Sequence, residues 1–114
     1  MHFYYLLALF PLAAVAQTEV NGQCAGVASG FYQQDGICIT ISECDSYHGS
    51  YINNGCPGTA DDVKCCVIGH ALGTNPCGGD SACVWTFDSV CSDAGGHFET
   101  GYCPGGSDYE CCIV

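Results

Sequence analysis

The chain has 114 residues, of which 12 are cysteine, 12 are Asp or Glu, and a single residue, Lys64, is Lys or Arg. A formal net charge of -11 repels phosphate backbones and anionic lipid, which makes nucleic acid and membrane surfaces poor partners. The length allows one or two small domains. We therefore expect a freely diffusing protein, or one that meets a neutral or basic partner.

The first 16 residues have the pattern of a secretory signal peptide. Residues 1–11 form an apolar run that is too short to span a bilayer. Ala14-Val15-Ala16 then supplies the small-x-small pattern after which signal peptidase cuts. We predict that residues 1–16 are removed, that the mature protein begins at Gln17, and that it is secreted.

All the cysteines follow the predicted cleavage site, and their number is even. In an exported chain this pattern predicts a disulfide framework without free thiols. The spacing Cys-x-x-Cys does not occur, which removes the commonest zinc and thioredoxin signatures. We predict no metal and no cofactor.

Two segments share the same order of cysteines, which predicts an internal duplication. The interval from Cys44 to Cys56 equals that from Cys91 to Cys103. We predict unit 1 at residues 17–68, a linker with Gly and Pro punctuation at residues 69–76, and unit 2 at residues 77–114. The cysteines of unit 1 are Cys24, Cys38, Cys44, Cys56, Cys65 and Cys66, and those of unit 2 are Cys77, Cys83, Cys91, Cys103, Cys111 and Cys112.

Short strands are predicted at matched positions of the two units. Residues 36–41 of unit 1 alternate and are β-branched, and residues 82–87 are their counterpart. Residues 50–52 lead into an Asn-Asn-Gly turn, which is a hairpin signal. Closing strands are predicted at residues 65–68 and 111–114.

Helix is predicted only as a single turn that starts near Ser42, with that residue as its cap. No stretch keeps a 3.6-residue apolar period, so long helices are not expected.

The paired cysteines Cys65-Cys66 and Cys111-Cys112 constrain the fold. Neighbouring half-cystines are badly placed to bond to each other, so each must reach a different partner earlier in its own unit. A unit of this size is near the limit at which an apolar core alone holds a fold, so cross-links must supply the rest. The predicted fold is small, disulfide-rich and mainly β, with two tandem six-cysteine units of short antiparallel strands and loops.

The motif order Cys, Gly-x-Cys-x5-Cys, Gly-x-Tyr, Cys-Pro-Gly and Val-Lys-Cys-Cys resembles the cysteine-rich repeats of secreted fungal proteins. Such repeats often precede lysozyme-type or other bacterial-wall hydrolase domains. The resemblance covers residues 20–114 and is strongest at residues 56–66 and 83–86. Only two residues follow Cys112, so we expect no hydrolase domain and a role for the repeats alone. Stand-alone proteins of this kind resemble small fungal effectors.

The unit is also similar to the clip domains of arthropod protease cascades, which share Gly-x-Cys-x5-Cys and a terminal Cys-Cys. Six cysteines allow 15 connectivities, and the clip resemblance selects one of them. It pairs the first cysteine with the fifth, the second with the fourth and the third with the sixth. The implied bonds are Cys24–Cys65, Cys38–Cys56, Cys44–Cys66, Cys77–Cys111, Cys83–Cys103 and Cys91–Cys112.

Catalysis is not predicted from the acidic residues. Glu43, Asp45 and Glu99 are the nearest candidates for a glycosidase carboxylate pair. Glu99 aligns with Ile52, and Glu43 has no acidic counterpart in unit 2, so neither role is duplicated. Neither Gly-x-Ser-x-Gly nor His-Glu-x-x-His occurs. We expect a protein without enzymatic activity.

Metal binding is likewise not predicted from the oxygen and imidazole ligands. The acidic residues have no calcium-loop spacing, and the histidines are interpreted as solvated loop residues. The residues considered are Asp61, Asp62, Asp88, Asp93, His48 and His97.

The aromatic residues carry the contact hypothesis, because flat rings stack on sugars and anchor protein interfaces. Trp85 and Phe87 share a strand face with Cys83 and are predicted to be buried. Tyr47, Tyr102 and Tyr109 lie beside predicted turns and are predicted to form an exposed contact surface. The alternative, that the aromatic rings build the small core between disulfides, remains open.

The sequence favours a non-catalytic, monomeric protein that acts outside the cell. The first hypothesis is an effector or virulence-associated protein at a host interface such as the apoplast, with an extracellular protein as partner. The second is a wall-binding module for chitin or peptidoglycan. The third is a protease inhibitor or an antimicrobial protein, although acidity disfavours action on anionic membranes.

Overall fold

The computed structural model describes residues 19–69 and 75–114, so the predicted signal peptide and the middle of the predicted linker lie outside the described residues. The described chain is mainly β, as predicted, and forms two antiparallel sheets. Its longest helix has 6 residues. Within these ranges no helix has the length and apolar character needed to cross a membrane.

Unit 1 forms a four-stranded sheet with the strand order β1-β2-β4-β3. A 3-10 helix, Gly26–Ser29, lies in the connection between β1 and β2. The other elements are β1 (Gln23–Cys24), β2 (Gly36–Thr40), α1 (Ile41–Ser46), β3 (Ser50–Ile52) and β4 (Val63–Val67).

Unit 2 forms a three-stranded sheet with the order β5-β7-β6, which matches β2-β4-β3 of unit 1. The register also matches, since Cys38 lies opposite Cys65 and Cys83 lies opposite Cys111. The elements are β5 (Ala82–Trp85), α2 (Val90–Asp93), β6 (His97–Glu99) and β7 (Tyr109–Ile113).

Each unit has three disulfides, which join its sheet to strands, helices and loops of the same unit, and no cysteine is free. Cys65 and Cys66 are adjacent on β4, so their side chains point to opposite faces of the sheet. Cys65 bonds Cys24 on one face, and Cys66 bonds Cys44 on the other. The connectivity in both units is the one that the clip-domain resemblance implies, and every bond stays within its unit.

Several predicted boundaries shift by one or two residues. Helix α1 is capped by Thr40 instead of Ser42, because the Thr40 Oγ1 accepts a hydrogen bond of 3.2 Å from the Glu43 N–H. The closing strands begin two residues before their cysteines. Strand β5 ends at Trp85, so Phe87 lies in the following turn and is 63% exposed. The prediction that Phe87 is buried is therefore wrong.

The two units pack head to tail and share one apolar core. The face of unit 1 with Ile37 and Ile39 contacts the face of unit 2 with Cys83, Trp85 and Tyr109. These faces are not equivalent, because Ile37 matches Ala82 in the aligned register. The face that unit 1 buries corresponds, in the aligned register, to the outer face of unit 2. The interface therefore joins two different faces of the repeated unit, which makes it heterologous.

The other face of each sheet is packed only by residues of its own unit. In unit 1 the face with Cys38 and Val63 is packed by Ala28, from the long β1–β2 connection, and by Ile52. In unit 2 the outer face carries the small Ala82 and Val84 where unit 1 has isoleucines. Smaller apolar side chains have less surface to bury, so this face of unit 2 needs no second unit packed on it.

The ends of the predicted linker belong to the fold. Gly69 forms a β-bridge with Ala82, and the Cys83 N–H donates to the Ile68 carbonyl at 3.0 Å. The Asn75 side-chain oxygen accepts from the Cys77 N–H at 2.7 Å. Gly69 and Asn75, at the two ends of the described part of the linker, are therefore held by hydrogen bonds to unit 2.

Gly69 has φ +116°, and a Cβ there would collide with the Ala82 backbone. We expect Gly69→Ala to lower the free energy of unfolding through strain, about 1–3 kcal/mol, plus overpacking of about 1–3 kcal/mol. Gly101 has φ +91° with open space around it, so Gly101→Ala should show the strain alone. Urea unfolding of the disulfide-intact variants measures both, and equal losses would contradict the close approach.

Trp85 and Phe87 provide a matched test of the shared core. Their rings stack with centroids 5.5 Å apart, but only Trp85 is buried. We expect Trp85→Ala to cost about 3–5 kcal/mol because it leaves a cavity between the units. Phe87→Ala should cost about 1 kcal/mol or less. Thermal unfolding checks the difference, and a larger loss for Phe87→Ala would contradict the packing.

Candidate contact surface

The most exposed large apolar side chains of the described residues are Val27 and Phe31, at 91% and 92%. Both lie in the connection between β1 and β2, residues 25–35, which we name the contact loop. A single exposed apolar residue is ordinary on a protein surface, whereas two almost fully exposed large ones on one short loop make that loop a candidate for contact. Sequence reasoning missed this loop because it weighed only the rings beside predicted turns.

The inner side of the contact loop explains why its outer side is apolar. Ser29 is fully buried, and its hydroxyl donates to the Gly26 carbonyl at 3.0 Å, which closes the 3-10 turn. Ala28 packs on the disulfide core of unit 1. Small residues thus face inward, and the larger Val27 and Phe31 face solvent.

Both ends of the contact loop are fixed. Cys24, just before the loop, bonds Cys65, and Cys38, in the strand after it, bonds Cys56. Gly30 has φ +60°, and a Cβ there would lie 3.0 Å from the Ile52 Cγ2, so the loop lies close on β3. The loop is therefore anchored on both sides and packed against β3 at Gly30.

The contact loop is also electrically distinct from the rest of the chain. No charged residue occurs from Val20 to Gln34, although the chain has a net charge of -11. Glu19 and Asp35 flank this neutral stretch. Asp35, its last residue, is therefore the one charged residue of the contact loop.

Of the three tyrosines predicted to form a contact surface, Tyr102 is the one with large exposure, at 48%. Tyr47 is half-buried and packs against the core that the two units share. Tyr109 is 2% exposed, so its predicted role in an exposed surface is wrong. It belongs to β7 and points at unit 1, which no pattern within unit 2 could reveal.

Tyr109 is a core residue of the junction. Its ring centroid lies 4.7 Å from that of Trp85, and its hydroxyl donates to the Asp35 carbonyl at 3.4 Å. Burial, together with the nearby charge of Asp35, raises the pKa of the Tyr109 hydroxyl far above its usual range. The residue therefore stays neutral at every physiological pH.

The carboxylates considered for catalysis are divided between the units. Glu43 and Asp45 lie on α1, whereas Glu99 lies on β6 and contacts the His97 ring at 3.2 Å on the surface. A cavity of about 180 Å³ in unit 1 is lined by other residues, among them Asn54, Thr59 and Lys64. The structure thus does not bring the three candidates together.

Sulfur atoms cluster in both units at distances that would suit a metal in a reduced protein. In unit 2 the Cys77 and Cys83 sulfurs are 3.7 Å apart, as are those of Cys103 and Cys111. All four belong to disulfides. Metals bind thiolates, so in the oxidised protein these atoms serve as cross-links.

Comparison with known proteins finds a fungal relative. The chain is 37% identical over 106 residues to an uncharacterized secreted protein of Arthroderma benhamiae. The matched region covers 93% of this chain and 38% of the relative, so the chain spans about two fifths of the relative's length. No protein-family model and no solved structure matches the chain. With six disulfides and this secreted relative, the protein is a secreted, cysteine-rich protein that is similar to a fungal one.

Proposed function

We propose that this secreted protein is non-catalytic and acts as an effector that binds an extracellular protein through the contact loop. The observation that carries the proposal is the near-complete exposure of Val27 and Phe31 on a loop fixed by disulfides at both ends. Val27 and Phe31 do not contribute to the core, and exposed apolar side chains lower solubility. Binding to a partner protein would explain why these two positions are apolar.

The energetics favour the loop as an anchor. Burying a Val or Phe side chain from full exposure contributes about 1.5–3 kcal/mol, so two such residues form a small hot spot. Because the loop ends are already fixed, binding orders little additional backbone. Affinity then depends on the partner's apolar pocket and on few other contacts.

Charge narrows the class of partner. A net charge of -11 attracts basic surfaces over long distances, while the uncharged part of the loop, which includes Val27 and Phe31, makes the direct contact. The proposed partner is therefore an extracellular protein with an apolar pocket and a neutral or basic rim. Association should slow as salt increases, because screening weakens the attraction.

Geometry at the contact loop supports a protein partner over a wall polysaccharide. The Phe31 and Tyr32 rings meet edge to face, with centroids 5.6 Å apart and an interplanar angle of 78°. Rings at this angle do not present one flat platform for a sugar chain. Tyr102, in unit 2, is the remaining candidate for sugar stacking.

A protease inhibitor is the second candidate, favoured by Phe31 alone. An exposed Phe on a disulfide-held loop could enter the apolar specificity pocket of a chymotrypsin-like protease. Phe31 lies in a turn, however, whereas a peptide that binds by adding a strand to the edge of a sheet must be extended. This difference weakens the case for an inhibitor. An inhibition assay with chymotrypsin tests this candidate directly.

The proposal is tested by replacing Phe31 in the full, oxidised protein. Immobilised wild type should retain a protein from host extracellular fluid, and Phe31→Asp should weaken this binding at least about 30-fold, as loss of a hot spot does. Tyr102→Ala, the matched control, should bind as wild type. Both variants should unfold at the wild-type temperature, since both residues are exposed.

A genetic arm tests the effector role. Colonisation lost on gene deletion should return with wild type but not with Phe31→Asp. Equal binding by Phe31→Asp, or retention on chitin or peptidoglycan that Tyr102→Ala abolishes, would overturn the proposal.

A further inference from the structure

Asp35, the last residue of the contact loop, lies at the junction of the two units. Its carboxylate accepts a hydrogen bond of 2.9 Å from the Trp85 backbone N–H. The next carbonyl, that of Gly36, accepts from the Trp85 indole N–H, also at 2.9 Å. With the Tyr109 hydroxyl on the Asp35 carbonyl, three hydrogen bonds from unit 2 converge on two residues of unit 1.

A second carboxyl group faces Asp35 from the other unit. Asp88, in the turn after β5, acts on the Asp35 carboxyl group through a side-chain hydrogen bond and through its charge, and both effects raise the pKa of Asp35. The Asp88 carboxylate also accepts from the Gln23 amide at 3.2 Å, which holds it toward unit 1. Two ionised carboxylates offer only acceptors to each other, so this contact needs a proton.

We propose that Asp35 and Asp88 form a proton-operated clasp between the units. When Asp35 is protonated, its O–H donates to Asp88 and joins the units. When Asp35 is ionised, two like charges repel each other across the same contact. The Trp85 N–H hydrogen bond persists in both states, because a carboxyl oxygen accepts in either form.

The environment of Asp35 shifts the ionisation of its carboxyl group into the mildly acidic pH range. Desolvation, with help from the Asp88 hydrogen bond and charge, raises the pKa of Asp35 to about 6, against the opposing effect of the Trp85 N–H. A carboxyl group with a raised folded-state pKa stabilises most below its unfolded value of 3.8. That stability is lost as the pH rises through about 6, so the clasp is closed in acid.

Few other groups around Asp35 titrate in this range. Tyr109, from β7, stays protonated, and Gln23, from β1, is uncharged. The groups that shift the pKa of Asp35 are Trp85 and Asp88, and no cation is among them. Asp88 is therefore the charge that opposes ionisation.

The clasp also fastens one end of the contact loop to unit 2. Acid would add the Asp88 attachment to this end of the loop, and a higher pH would remove that attachment while the Trp85 hydrogen bond to Asp35 remains. This consequence rests on the proposed function, whereas the clasp itself does not.

The sole tryptophan makes the clasp directly observable. Trp85 emission from the full, oxidised protein should change between pH 4 and 8 with a midpoint of about 6. Asp35→Asn should abolish the change, because its amide accepts from Trp85 and donates to Asp88 at every pH. Asp88→Asn should lower the midpoint, because it removes the opposing charge.

Asp45→Asn is the control, since Asp45 is an exposed carboxylate on α1 and its loss should leave the midpoint unchanged. The Asp35→Asn comparison assigns the transition to the Asp35 carboxyl group. The urea midpoint of wild type should also be higher at pH 5 than at pH 8, and Asp35→Asn should remove that difference. A flat wild-type emission curve, or a transition that survives Asp35→Asn, would overturn the clasp whatever the loop binds.

Discussion

The fold depends on pairs of adjacent half-cystines on the central strand of each sheet. Cys65 and Cys66 point to opposite faces of β4, so this strand is bonded to β1 on one face and to α1 on the other. Cys111 and Cys112 on β7 bond the segment before β5 and helix α2 in the same way. Each cross-link restricts the unfolded chain, at about 3 kcal/mol for a 15-residue loop on the chain-entropy model. Units too small for a sufficient apolar core are held together in this way.

The head-to-tail contact then builds a core that neither unit has alone. Ile37 and Ile39 of unit 1 are covered by Trp85 and Tyr109 of unit 2. The opposite face of unit 1 has no second unit on it and is covered by the long β1–β2 connection. Because small residues of that connection face inward, Val27 and Phe31 remain outside. The same loop therefore closes the core and presents the contact surface.

The sequence predicts what depends on local pattern. Alternation and β-branching located β2, the Asn-Asn-Gly turn signal located β3, and the clip resemblance implied the pairing of all six disulfides. Tyr109 was predicted to be exposed but is buried, because its burial depends on contact with unit 1. Phe87 was misplaced because β5 ends at Trp85, where the chain turns. Val27 and Phe31 gave no signal, since apolar residues in a chain are ordinarily counted toward its core.

The central claim is that cross-links, more than apolar packing, maintain this fold. Limited proteolysis and size-exclusion chromatography of the purified protein, before and after treatment with a mild thiol reductant, test it most directly. The account predicts that reduction expands the protein and exposes it to rapid cleavage in both units. A reduced protein that stays as compact and as protease-resistant as the oxidised one would contradict it.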